Sequence, residues 1–206
     1  VLDHTGLLSK AEVEAAMRRG ANYEKGNTTR SSLIVIHHGK DIALENTALR
    51  NASAHMVEAT QVEQLGIRNV RMEGMYSGDG LHWDGIGLTT QHLVMEHMQQ
   101  GIVILAGHPV GSSLTEQWSA YDTKIRHSGV GIVFTNTGNT WIQHVYLQGL
   151  SIEDVLLAMR VRETTTIGGG IRDIVVKEAY LKGITQQIDA GTKRNSPVEW
   201  FRTTVD

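Results

Sequence analysis

Short β-branched runs alternate in this chain with stretches whose apolar residues recur every three or four positions, and that rhythm limits the fold most. The runs are SLIVIHH (32–38), IRNVRM (67–72), IVILA (102–106), VGIVFT (130–135) and TTTI (164–167), each of a length suited to a buried strand. Helical stretches lie between them. Ser9-Lys-Ala-Glu12 has the form of a capping box opening a helix to about Arg19. Over Asn46 to Leu65, the residues Leu49, Ala52, Met56 and Ala59 form one apolar stripe that Gly66 ends. Further helices are expected over 88–100, from Leu114 to about His127, over 151–159, and where Val176, Tyr180, Ile184 and Ile188 stand four apart. About five strands alternating with about six helices predict parallel β-α units, hence a three-layer α/β/α sandwich with a mainly parallel central sheet. No internal repeat is visible. The expected domain spans 1–206, with a helix and polar loop at 1–30 and a tail at 195–206 that can dock through Trp200 and Phe201.

The net charge of −3 carries no basic excess, so nucleic acid is not an expected partner. The absence of cysteine excludes disulfides, thiolate metal sites and cysteine nucleophiles. No apolar run approaches ~18 residues, so no membrane span is expected, and the first residues show no signal-peptide pattern. Compartment and oligomeric state stay open. The ten histidines invite a test for metal spacing. His37 and His38 close a strand and point to opposite faces while it persists. No HxxxH or HxxE pair accompanies them, and neither a metal nor a cofactor is expected.

Gly101 to Trp118, GIVILAGHPVGSSLTEQW, reads as strand, glycine turn, serine and helix. Such an order presents a hydroxyl at the carboxyl end of a parallel sheet, beside the free N–H groups of a helix N-terminus. Ser112 or Ser113 can equally be an N-cap, with Glu116 completing a capping box. Three more loops fall at expected strand ends: DGLH (79–82), TGNT (137–140) and GGGIRD (168–173). The DGLH loop carries Asp79 and His82, three residues apart, which a polar turn with a capping aspartate would also give.

These four blocks resemble those of the SGNH hydrolases, also called GDSL esterases. GSSLTEQW is similar to the family's serine block, FTNTGNT to its second block, GGIRDI to its third and DGLHWDGIG to its last. The last block precedes the serine block here, as in a circularly permuted chain. Two positions depart from the family: Ser112 stands for its aspartate and Arg172 for its oxyanion-binding asparagine. The resemblance implies a flavodoxin-like SGNH fold and cleavage of a small acyl ester, with a carbohydrate O-acetyl group as one candidate. Ser113 would attack, His82 would act as base and Asp79 would orient it. Gly138, Asn139 and Arg172 would line the oxyanion or substrate site. The alternatives are a catalytically impaired scaffold or binding module, its site altered at Ser112 and Arg172, and a zinc amidase built on His37 or His38; in another register, with Gly107-His-Pro as the serine block, Pro109 occupies the nucleophile position and the protein is inactive.

Overall fold

A computed structural model describes residues 2–3, 31–74, 78–106, 115–138, 140–163, 169–189 and 198–206. Among them no residue is helical, and the strands form one parallel β-solenoid. The first strands are β1 (Leu2–Asp3), β2 (Ile34–His37), β3 (Lys40–Arg50), β4 (His55–Glu73), β5 (Asp79–Glu96) and β6 (Gln100–Ala106). The middle ones are β7 (Thr115–Arg126), β8 (Val130–Asn136), β9 (Trp141–Gln148), β10 (Ser151–Glu153) and β11 (Leu157–Glu163). The last are β12 (Gly170–Ile171), β13 (Ile174–Lys177), β14 (Tyr180–Lys182), β15 (Gln186–Asp189), β16 (Val198–Phe201) and β17 (Thr204–Val205).

Each turn of chain lies parallel on the one before it. Val35 pairs with Glu58, Glu58 with His82, His82 with Val103, Val103 with Val133, Val133 with Arg160, and Arg160 with Asp189. This column follows the solenoid axis at the usual ~4.8 Å strand spacing. The neighbouring column, Val57, Leu81, Ile102, Ile132 and Met159, points inward and is fully buried. One continuous core runs from Leu49 to Val198, with Trp83, Trp118 and Phe134 its bulkiest members.

The corners explain how such a chain turns without helices. Within a rung, residues five apart take left-handed backbone: Gly87, His92 and His97 in one, Gln117, Asp122 and His127 in the next. The same positions recur rung after rung, as in the corner column Asn46, Asn69, His92, Asp122, Gly149, Glu178 and Arg202. Asparagine, aspartate, histidine and glycine tolerate this conformation best. The residue after each corner faces in, as does the one two further on. Leu88, Thr90, Leu93, Met95 and Met98 are buried accordingly. Ion pairs and amide bonds join corners and their flanks across rungs, such as Asn69 Nδ2 donating to Asn46 Oδ1 at 3.1 Å and Lys124 meeting Glu153 at 2.6 Å. The buried Glu96 carboxylate sits between Arg71 and Arg126.

The α/β/α sandwich is therefore wrong, and the SGNH architecture and circular permutation lose their basis with it. The expected helix over 46–65 lies in β3 and β4, and that over 88–100 in β5 and β6. The stretch from Leu114 to His127 is β7 from Thr115 onward. The 151–159 stretch divides between β10 and β11, and the 176–188 stretch among β13, β14 and β15. The cause is the corner. Inward residues two apart make a strand, but a left-handed residue between segments stretches the next interval to three. Apolar spacing of two and three then imitates a helical stripe. The loop expected over 74–87 is largely β5. Strands do occur at 34–37, 102–106 and 130–135, as the apolar runs indicated. The expected N-terminal helix and the run at 164–167 lie outside the described residues. Among the described residues no helix is long and apolar enough to cross a membrane.

Candidate functional site

The outer face of the sheet formed by β2, β4, β5, β6, β8 and β11 carries a cleft of about 780 Å³. Alternation along β5 turns Leu81 and Trp83 into the core and His82 out to the cleft. Glu58 and Val103 flank His82 on the adjacent rungs. Beyond Val103, Val133 continues the floor, and Val103, Val130, Val133 and Leu157 form a second apolar cluster separate from the core. Ser32 donates to Glu58 Oε2 at 2.8 Å on one wall, and Arg162 is exposed on the other. Next to Arg162, burial and the neighbouring positive charge push the Arg160 guanidinium down from its ordinary pKa.

Three side chains converge at one end of the cleft. His55 opens β4 and Asp79 opens β5, and the two are direct partners in the parallel ladder. The Asp79 carboxylate, buried at 8% exposure, lies 3.2 Å from His55 Nδ1. His55 Nε2 in turn lies 3.0 Å from His82 Nδ1, with the two rings edge to face at 4.3 Å. All three offer a ligand or proton-bearing atom within 4.8 Å of the others. The glycines flanking Asp79 hold it there. A Cβ on Gly78 would stand 1.5 Å from the Ala54 carbonyl oxygen, and one on Gly80 would stand 2.6 Å from that of Gly101. The rungs close at this point only because neither residue has a side chain.

Asp79 and His82 both lie at this end of the cleft, and His55 stands between them. Nothing in the residues around His55 marks it as part of a site. Its signal was register: it sits one rung before Asp79, a relation invisible until the solenoid is recognised. The other candidates are elsewhere. The Gly138 N–H donates to Asn136 Oδ1 at 3.0 Å, and Gly138 lies two rungs from His82, on the order of 10 Å or more away. Arg172 lies three rungs from His82, roughly 14 Å along the axis. Its guanidinium covers the Trp141 ring at 4.3 Å and donates twice to Gln143 Oε1, at 3.0 and 2.7 Å. Neither Gly138 nor Arg172 shares a site with His82. Ser113, Ser112, Pro109 and Asn139 lie outside the described residues. His37 bonds Thr60 through Nδ1, and His38 occupies a left-handed corner. Trp83 and Trp118 belong to the core.

Compared with protein families, curated proteins and solved structures, the chain matches none.

The arrangement is suited to moving protons. With the His55 proton on Nδ1, close to Asp79 but not aligned as a hydrogen bond to it, His55 Nε2 accepts from the His82 Nδ1–H. The lone pair of His82 then rests on its Nε2, an atom shielded from solvent within the wall of the cleft. Protonating that nitrogen creates a cation that His55 polarises and the Asp79 carboxylate stabilises through it.

Proposed function

We propose that this protein is a hydrolase acting on an acyl ester carried by a carbohydrate, with His82 as its acid–base group. The observation that carries this reading is the chain Asp79–His55–His82, with contacts of 3.2 and 3.0 Å, opening on a cleft. Ester hydrolysis needs a base near neutral pH that later returns its proton to the leaving alcohol, and an imidazole backed by a carboxylate does both. His82 takes a proton from the attacking oxygen, the tetrahedral adduct forms, and the imidazolium gives the proton to the departing alkoxide. That oxygen belongs to water in the simplest form of the mechanism, and to Ser113 in the form expected from the sequence. The cleft joins an apolar floor, Val103 and Val133, to polar walls with Glu58, Gln99 and Arg162. Such an amphipathic surface running across successive rungs favours an extended polar chain over a compact apolar ligand.

Glycosidic cleavage is the second reading. Asp79 and Glu58 both line the cleft, and paired carboxylates flanking the scissile bond serve that reaction.

The test is turnover of p-nitrophenyl acetate and of acetylated and unacetylated polysaccharides, beside His82→Gln and His55→Gln. Acetate release that falls roughly 10²–10⁴-fold in His82→Gln supports the ester reading. New reducing ends without acetate release support the glycosidic one. A folded parent that binds glycan and turns over nothing leaves a binding module and refutes both.

A further inference from the structure

Asp79 buries an oxygen, Oδ1, that makes no hydrogen bond, although the residue is only 8% exposed. A buried carboxylate oxygen without a donor is expensive, and a cation is one of the few things that satisfies it. Two imidazoles stand beside it. We propose that His55, Asp79 and His82 form a binding site for a divalent transition-metal ion of the zinc type.

The geometry carries this. The His55 Nε2 and His82 Nδ1 atoms are 3.0 Å apart, and the potential ligand atoms of all three residues fall within 4.8 Å of one another. Two donors each about 2.1 Å from one ion stand about 3.0–3.4 Å apart at angles of 90–109°. The nitrogens already meet that spacing; Asp79 meets His55 on its Nδ1 side at 3.2 Å, so bringing all three donors onto one ion requires the His55 ring to turn. Two imidazoles and a carboxylate suit zinc, cobalt or nickel, whereas calcium and magnesium prefer oxygen throughout. The ladder fixes the ligands: His55 and Asp79 are paired directly, and Gly78 and Gly80 hold their rungs together. The cleft leaves room for water at the remaining positions.

An ion here replaces the proton that His55 and His82 share. If the hydrolase reading is right, added zinc inhibits turnover; this consequence rests on that reading, whereas ion binding does not.

Cobalt(II) titration of the purified chain, followed by visible absorption, tests the site without any assay of activity. The expected result is a d–d band saturating at a single ion. His82→Gln and Asp79→Asn should each weaken binding by at least the roughly 10- to 100-fold that loss of an outer hydrogen-bond partner costs. His127→Gln, which alters a corner histidine stacked on His97, should leave it unchanged. No band at millimolar cobalt overturns the proposal. So does binding that survives His82→Gln, or that is lost in His127→Gln. His82 is half-buried on the outer face, so its variant should fold even if Asp79→Asn does not, and far-UV circular dichroism checks this. Cobalt binding with no ester or glycan turnover sinks the hydrolase reading alone. Turnover with no cobalt binding sinks the metal site alone.

Discussion

Asp122 offers the sharpest test of the fold. It sits at a corner with φ of 51°, in the middle of a stretch whose apolar spacing reads as helix. Its carboxylate accepts from His92 Nδ1 at 2.6 Å, with both side chains exposed. Asp122→Ala and Asp122→Gly both remove that pair, so their difference isolates the backbone. Left-handed backbone costs alanine about 1–2 kcal/mol. Glycine escapes that cost but loses about 0.5–1 kcal/mol more chain entropy on folding. The mid-values of the two costs differ by about 0.75 kcal/mol, so the solenoid corner favours glycine over alanine by about that much. A helix would favour alanine by about 1 kcal/mol. For a chain of this size, 1 kcal/mol moves Tm by about 2–4 °C. The glycine variant should therefore melt roughly 1–4 °C above the alanine variant in paired far-UV circular dichroism scans. An alanine variant that melts higher would refute the corner.

Other positions give further expectations. Leu81 is fully buried between Asp79 and His82, and Leu81→Ala should destabilise by about 2.7–5 kcal/mol in urea unfolding; a loss under 1 kcal/mol would contradict the packed rung. Gly78→Ala has no room for its Cβ, so the variant should lose both stability and His82-dependent turnover, and an unaffected variant would mean the rungs do not close there. The hydrogen bond from Lys124 holds the Glu153 carboxyl below its ordinary pKa of 4.5, with Ser151 and Arg126 adding to the effect. A depressed carboxylate contributes stability that is fully present above the unfolded value and lost as pH falls through the folded one. Glu153→Gln should therefore lower stability at pH 7 and flatten its fall below about pH 4.5, as read from urea midpoints across pH; parallel pH profiles for parent and variant would contradict this.

The strand cores were legible because residues such as Ile102, Ile104, Ile132 and Phe134 combine β-branched or aromatic side chains with two-residue alternation. What hid the fold was the corner residues. Gln64, His92 and Asp122 look like ordinary polar positions of an amphipathic helix, yet each resets the inward face by one residue. The rungs also differ in length, so no fixed period appears in the sequence. Glu63 pairs with Ile86, Ile86 with Glu116 and Glu116 with Gln143. Asp79 and His82 were recognisable because a single short segment carries both. His55 was not, since only the parallel pairing of β4 with β5 brings it beside Asp79. Arg172 was misjudged for the converse reason: a motif match says nothing of the rungs that separate it from His82.

Corners recur five residues apart in successive rungs, as at Asp41, Asn46 and Asn51 or His144, Gly149 and Asp154, but the path from the cleft to the first corner does not keep step. His82 reaches Gly87 quickly, whereas Val103 must travel to Gln117, Val133 to His144 and Arg160 to Asp173. Two sides of the solenoid thus act as a fixed ruler, and the variation in rung length falls on the third. Residues can be added there without moving one inward side chain out of register. Among the described residues, the cleft thus lies on the side of the solenoid where rung length varies while the inward columns of the core stay in register.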